Sequence, residues 1–218
     1  MHAQGAGAGP KKRQGAVSSI TDDEIREKYL ERAIRELNDL GRELMACDQC
    51  PRGDVMPVQG SGHPQADILM LKHAATPSEI EEGVAFYGRA GNALMKSFKR
   101  LAIDPIVVFG TLCVKCPITD PSQAGEACIA RVAEEIAIVQ PRIVVVMGPE
   151  ALDILNDLEL PLSDELEARE GEIQRLTPTM DALYVPDIDE SLDTEDAKQR
   201  FWTSFRVLGD WYDQLPPY

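Results

Sequence analysis

Gln140-Pro141-Arg142-Ile143-Val144-Val145-Val146-Met147-Gly148 is the stretch that decides the fold. Four β-branched residues in a row, Ile143-Val144-Val145-Val146, followed by Met147 and a glycine, suit a strand buried on both faces. Three further short apolar runs, at 67–71, 106–109 and 182–185, read as its companions. Between them lie helical patterns at about 89–101, 125–139 and 149–158, and a last helix at about 194–213. Strands alternating with helices predict an α/β fold of three layers, with a central four-stranded parallel sheet flanked by helices. Ligands of such sheets bind outside the carboxyl ends of the strands. The positions after Leu71, Phe109, Met147 and Val185 are therefore where a site is expected.

Upstream, Thr21-Asp22-Asp23-Glu24 gives an N-cap and an acidic first turn. Ile25, Tyr29, Ala33, Leu37, Leu40 and Leu44 then recur at helical spacing to about Met45. Residues 1–19 hold small residues and Lys11-Lys12-Arg13 but no apolar segment, so they read as a flexible tail, neither signal peptide nor fold element. Residues 20–218 read as a single domain without internal repeats. Hydrophobic residues make up 44% and charged residues 27% of the 218, an ordinary globular balance. No apolar run approaches the ~20 residues of a membrane span, and a cytoplasmic location is expected. The net charge is −15. Residues 150–199 hold sixteen acidic and three basic side chains, so the C-terminal third would repel DNA unless turned away from it.

Five cysteines stand at 47, 50, 113, 116 and 128. A structural disulfide is not expected in a cytoplasmic chain. Cys47-Asp48-Gln49-Cys50 has the spacing that lets two thiolates reach one metal, and Cys113-Val114-Lys115-Cys116 repeats it. Thiolate-rich sites select zinc or iron–sulfur clusters. On spacing alone, Cys47, Cys50, Cys113 and Cys116 could surround zinc, leaving Cys128 spare.

The surrounding residues carry a family likeness. Cys47-x-x-Cys50, Val58-x-Gly60-x-Gly62, Ala66-Asp67-Ile68-Leu69, Phe86-Tyr87-Gly88-Arg89-Ala90-Gly91, Val114-Lys115-Cys116, Cys128 and the 140–148 run occur in that order. Over about residues 44–210 the chain resembles the iron–sulfur (family 4 type) uracil-DNA glycosylases. The resemblance implies a [4Fe–4S] cluster held by Cys47, Cys50, Cys116 and Cys128, with a structural role, and makes Cys113 a packing residue. It implies the uracil-DNA glycosylase-like fold, with Phe86 as the ring that stacks on a flipped base.

The pocket positions depart from that family. Counting back from Phe86, the family's Gly-Glu-Ala-Pro-Gly loop falls on Lys72-His73-Ala74-Ala75-Thr76, with His73 in place of the acid. Of the Glu-Asp pair that follows, Glu79 is kept and Ile80 replaces the Asp. Leu112 stands where an Asn would read the uracil edge, and leucine offers no hydrogen bond. Asp189 stands where a His would face the leaving base, an anion where a donor is wanted.

Three readings follow. The first is a non-catalytic descendant, a binding or regulatory module linked to DNA repair. It would bind DNA weakly, and its acid-rich third favours a protein partner. The second is an active DNA glycosylase of altered specificity that uses His73 and Asp189 in new roles. The third is an iron–sulfur protein with a redox function, which nothing beyond the cysteines favours.

Overall fold

The computed structural model describes residues 21–215; the segment 1–19, expected as a tail, lies outside them. In chain order the elements are α1 (Asp22–Ala46), β1 (Ser61–Gly62), β2 (Ile68–Ala74), α2 (Pro77–Glu82), α3 (Arg89–Arg100), β3 (Val108–Val114), α4 (Glu126–Val139), β4 (Ile143–Met147), α5 (Pro149–Asp157), β5 (Ile173–Thr177), β6 (Met180–Val185), α6 (Ile188–Ser191), α7 (Glu195–Phe205) and α8 (Val207–Tyr212). Thr21 caps α1 in the expected way: its side chain accepts from Glu24 N while the Glu24 carboxylate accepts from Thr21 N. Ile25 and Tyr29 nonetheless stay exposed, because the first turns of α1 run beyond the core.

The sheet order is β1-β3-β2-β4-β6-β5. β3, β2, β4 and β6 are the expected four parallel strands. The expected four-stranded sheet is extended to six by β1 and β5, which pair antiparallel on the two edges. β1 has two residues, and β5 (Ile-Gln-Arg-Leu-Thr) lacks the apolar run of a central strand.

Helices cover both faces, giving three layers. Leu69, Leu71, Val144 and Val146 pack with Val132 and Ile136 of α4 and Leu152 and Leu155 of α5. Ile68, Met70, Val145 and Met147 pack with Leu94 and Phe98 of α3, Phe201 and Phe205 of α7 and Leu208 of α8. All five residues of β4 are fully buried. Each such side chain contributes roughly 1.5–3 kcal/mol, which is why this run dominates the sequence signal.

Chain connections leave β2 toward β3 and leave β4 toward β6, in opposite directions. The crevice between the carboxyl ends of β2 and β4 is thus the switch point at which open α/β sheets place ligands. Gly148 closes β4 there with φ +89°, and a Cβ would come within 3.1 Å of Asp187 Cβ.

Candidate functional site

Two clusters of chemically active side chains border the carboxyl ends of the strands. The first is sulfur. The Sγ atoms of Cys50, Cys116 and Cys128 lie within 4.8 Å of one another, all buried. They come from the segment after α1, the loop after β3 and the first turn of α4, three pieces otherwise held by little apolar packing. Backbone N–H groups point at two of them: Gly125 N donates to Cys50 Sγ and Lys115 N to Cys128 Sγ, each at 3.3 Å. The Cys128 thiol is pulled down to about 5, first by the hydrogen bond from Cys116. Cys116 is pushed up, first by that same bond and then by burial. One thiolate is thus already stabilised, the form that binds metal.

Cys47 stands outside this group, half-buried at the end of α1. Arg131 Nη1 reaches it, 3.8 Å from its Sγ, and also donates to Ala127 O at 2.8 Å. Cys113 is turned the other way. It is fully buried among Leu69, Val132 and Ile136 on the α4 face of the sheet, and burial pushes its thiol up to about 12. The two-pair arrangement that spacing leaves open is therefore not the one the fold assembles: Cys128, not Cys113, joins Cys50 and Cys116. An all-thiolate donor set in a dry pocket, with N–H groups aimed at its sulfurs, fits zinc or an iron–sulfur cluster.

The second cluster lies at the switch point. β2 runs three residues further than expected, to Ala74, so Lys72 and His73 are strand residues and not loop. Strand alternation sends Lys72 to the face of Ile68 and Met70, and His73 to the opposite one. Lys72 is 0% exposed. Its Nζ lies 2.8 Å from Glu79 Oε2 and 2.5 Å from Asp189 Oδ2, and 5.6 Å from the centre of the Phe86 ring. Glu79, also 0% exposed, accepts from Thr76 N, Thr76 Oγ1 and Phe86 N as well. It ties the β2–α2 turn to the backbone of Phe86, which is held at φ +60°. Leu112, the β3 partner of Lys72 in the sheet, is buried with Val58 and Ala85, and Ala75, Ile80 and Phe86 pack around them.

The Asp189 carboxylate is therefore paired with Lys72. His73 makes no side-chain hydrogen bond or ion pair among the described residues. Sequence reading gives Lys72 no role, since its carboxylate partner Asp189 lies 117 positions away. The one available signal is a lysine directly abutting the apolar run 68–71.

Comparison with known protein families matches residues 59–205 to the uracil DNA glycosylase superfamily. The chain belongs to that superfamily. A curated relative within it, the type-4 uracil-DNA glycosylase of Pyrobaculum aerophilum, is 31% identical over 131 residues. The match covers 56% of this chain and 66% of that enzyme, just under two thirds of its length. The superfamily match contains Cys116 and Cys128, and Lys72, Glu79, Phe86 and Asp189. Among the described residues, no helix of this superfamily member is long and apolar enough to cross a membrane.

Proposed function

We propose that this chain is a catalytically degenerate member of the uracil DNA glycosylase superfamily, serving as a binding or regulatory module linked to DNA repair. The observation that carries this reading is the ion pair of Lys72 with Glu79 and Asp189 at the switch point. Glycosidic cleavage needs a polar edge to read the base, a donor for the charge that develops on it, and a positioned water. Here an internal ammonium and the apolar cluster around Leu112 occupy the strand ends. The carboxylates that could handle a proton are engaged by Lys72. Lys72 Nζ is itself engaged by both Glu79 and Asp189.

Cys47, Cys50, Cys116 and Cys128 would hold a [4Fe–4S] cluster. When bound, the cluster supplies a rigid cross-link that fastens the segment after α1 and the 116–128 loop to the sheet. Cys128 offers the stabilised thiolate, Gly125 N and Lys115 N donate to two ligands, and Arg131 sets a positive charge beside Cys47. A net charge of −15 and an acidic C-terminal third favour a protein partner, with duplex DNA bound weakly.

Affinities for duplexes that differ only in one uracil or thymine test this reading. Equal, weak binding is expected, in the non-specific range of ~10⁻⁴ to 10⁻⁶ M at physiological salt. A submicromolar, uracil-dependent affinity would overturn it.

A further inference from the structure

Away from both clusters, a cavity of about 460 Å³ opens at the other end of the sheet. Asp67, Val107 and Arg142 in its lining directly precede β2, β3 and β4, so it spans the amino ends of three neighbouring parallel strands. Helix α1 contributes Arg26, Tyr29 and Arg32 to the lining, and α4 contributes Ala137 and Ile138. Small ligands of open α/β sheets bind outside the carboxyl ends of the strands. The amino-end groove is therefore not where a substrate is expected.

Its charged lining is basic in a chain of net charge −15. Arg26, Arg32, Arg142 and His63 stand against two carboxylates, Glu36 and Asp67. Both carboxylates are already paired: Arg32 Nε lies 2.7 Å from Glu36 and Arg142 Nε 3.1 Å from Asp67. A guanidinium carries five N–H donors, so one carboxylate does not exhaust it. The two side chains keep 63% and 41% exposure. Arg26 is exposed and makes no ion pair among the described residues. Beside these cations Tyr29 and Ile106 are 59% and 60% exposed, and Ile25, one turn before Tyr29, is 41% exposed. Tyrosine and arginine around an uncovered apolar centre are what protein interfaces are enriched in.

We propose that this groove docks an acidic peptide segment of a partner protein, its carboxylates on Arg26, Arg32 and Arg142 and an apolar anchor against Tyr29 and Ile106. Planar guanidiniums match carboxylates in two-point contacts, which fixes the sign and the kind of charge on the partner. The acidic remainder of the chain repels such a segment everywhere else and so confines it to the groove. The chain's own residues 1–20, which lead into α1, hold Lys11-Lys12-Arg13 and no acid, so they carry the wrong charge to fill it. The inference rests on the reading of the chain as a module with a protein partner, and it names the surface and the chemistry of that partner.

Fluorescence anisotropy of the full chain with a labelled glutamate–tyrosine copolymer, labelled polyglutamate and labelled oligothymidine tests it. The copolymer should bind about tenfold more tightly than polyglutamate, because only it supplies an anchor. Arg26→Glu with Arg32→Glu should lower its affinity more than tenfold, and Arg26→Glu alone, which disturbs no ion pair, should lower it severalfold. Tyr29→Ala should weaken binding about tenfold with the salt dependence unchanged. Lys96→Glu with Lys99→Glu on α3, where both lysines are exposed, makes the same change of charge as the double arginine variant and should have little effect. Thermal melting checks that each variant is folded. Absence of copolymer binding, equal affinity for polyglutamate, or equal losses in the α3 control overturns the proposal. Oligothymidine binding that falls in parallel with the groove changes also overturns it and assigns the groove to polyanions in general. Self-association of the chain in sedimentation, lost in Arg26→Glu, overturns it in favour of a second copy. The non-catalytic reading fails separately, on uracil release, which these groove variants do not touch.

Discussion

The ammonium of Lys72 and the carboxylate of Asp189, 117 residues apart in the chain, stand 2.5 Å from each other across the ends of the parallel strands. The contact joins β2 to α6. With Glu79 on its other side, Lys72 is a buried cation flanked by two anions.

Removing the cation should therefore cost more than removing either anion. Lys72→Met leaves Glu79 fully buried without its counter-charge and should lower stability by about 3–5 kcal/mol in urea titrations at neutral pH. Asp189→Asn should cost about 1 kcal/mol, since the Asp189 side chain keeps 30% exposure and the amide can still accept from Lys72. Equal effects of the two substitutions would mean that the ion pair does not organise the strand ends.

The sulfur cluster makes a separate expectation. Protein purified without oxygen should absorb broadly near ~400 nm and hold about four irons per chain. Cys128→Ala should lose the metal. Cys113→Ala should keep it, and in the unmodified protein Cys113 should resist alkylation, being fully buried with its thiol pushed up to about 12. Metal loss in Cys113→Ala with retention in Cys128→Ala would restore the pairing of the two Cys-x-x-Cys units.

Much of the scaffold was legible because its signals are local. The run 143–147 is one face-independent apolar strand, and the helices at 89–100, 126–139 and 149–157 show their own periodicity. What escaped was set by distant partners. Lys72 interrupts an apolar run and so reads as a loop, yet Glu79 and Asp189 make its burial in β2 tolerable. β5 alternates polar residues because it is an edge paired only with β6. The last helix divides at Arg206 into α7 and α8, a break with no glycine or proline to announce it. Among the cysteines, spacing pairs Cys113 with Cys116, but strand alternation turns Cys113 into the core, and the α4 turn delivers Cys128 to the others.

Asp187, the N-cap of α6, gives a pH dependence of known sign. Burial raises its carboxyl above the ordinary value, against the hydrogen bond it accepts from Glu190 N. A raised carboxyl holds its proton more tightly in the folded state. Its contribution is therefore most favourable below the ordinary carboxylate value of 3.8, and it diminishes as pH rises through the raised value. Asp187→Asn keeps an acceptor for Glu190 N and removes the buried charge. The variant should be more stable than the unmodified protein at neutral pH, with the advantage vanishing under acid. An advantage that grows toward low pH would contradict this assignment.

The most direct measurement is single-turnover uracil release from single- and double-stranded uracil-containing DNA, with iron measured on the same sample. Loss of a charge-stabilising donor alone costs enzymes ~10²–10³ in rate. In the proposed reading Leu112 and Asp189 stand where the edge reader and the donor would be; Leu112 lies in an apolar cluster and Asp189 is paired with Lys72. Iron-loaded protein should release no uracil above a buffer control over hours. Single restorations (His73→Glu, Leu112→Asn or Asp189→His) should not rescue it, because the other substitutions and Lys72 remain. Uracil release by the unmodified protein, abolished by His73→Ala, would contradict the non-catalytic reading and make His73 the residue on which to build a mechanism.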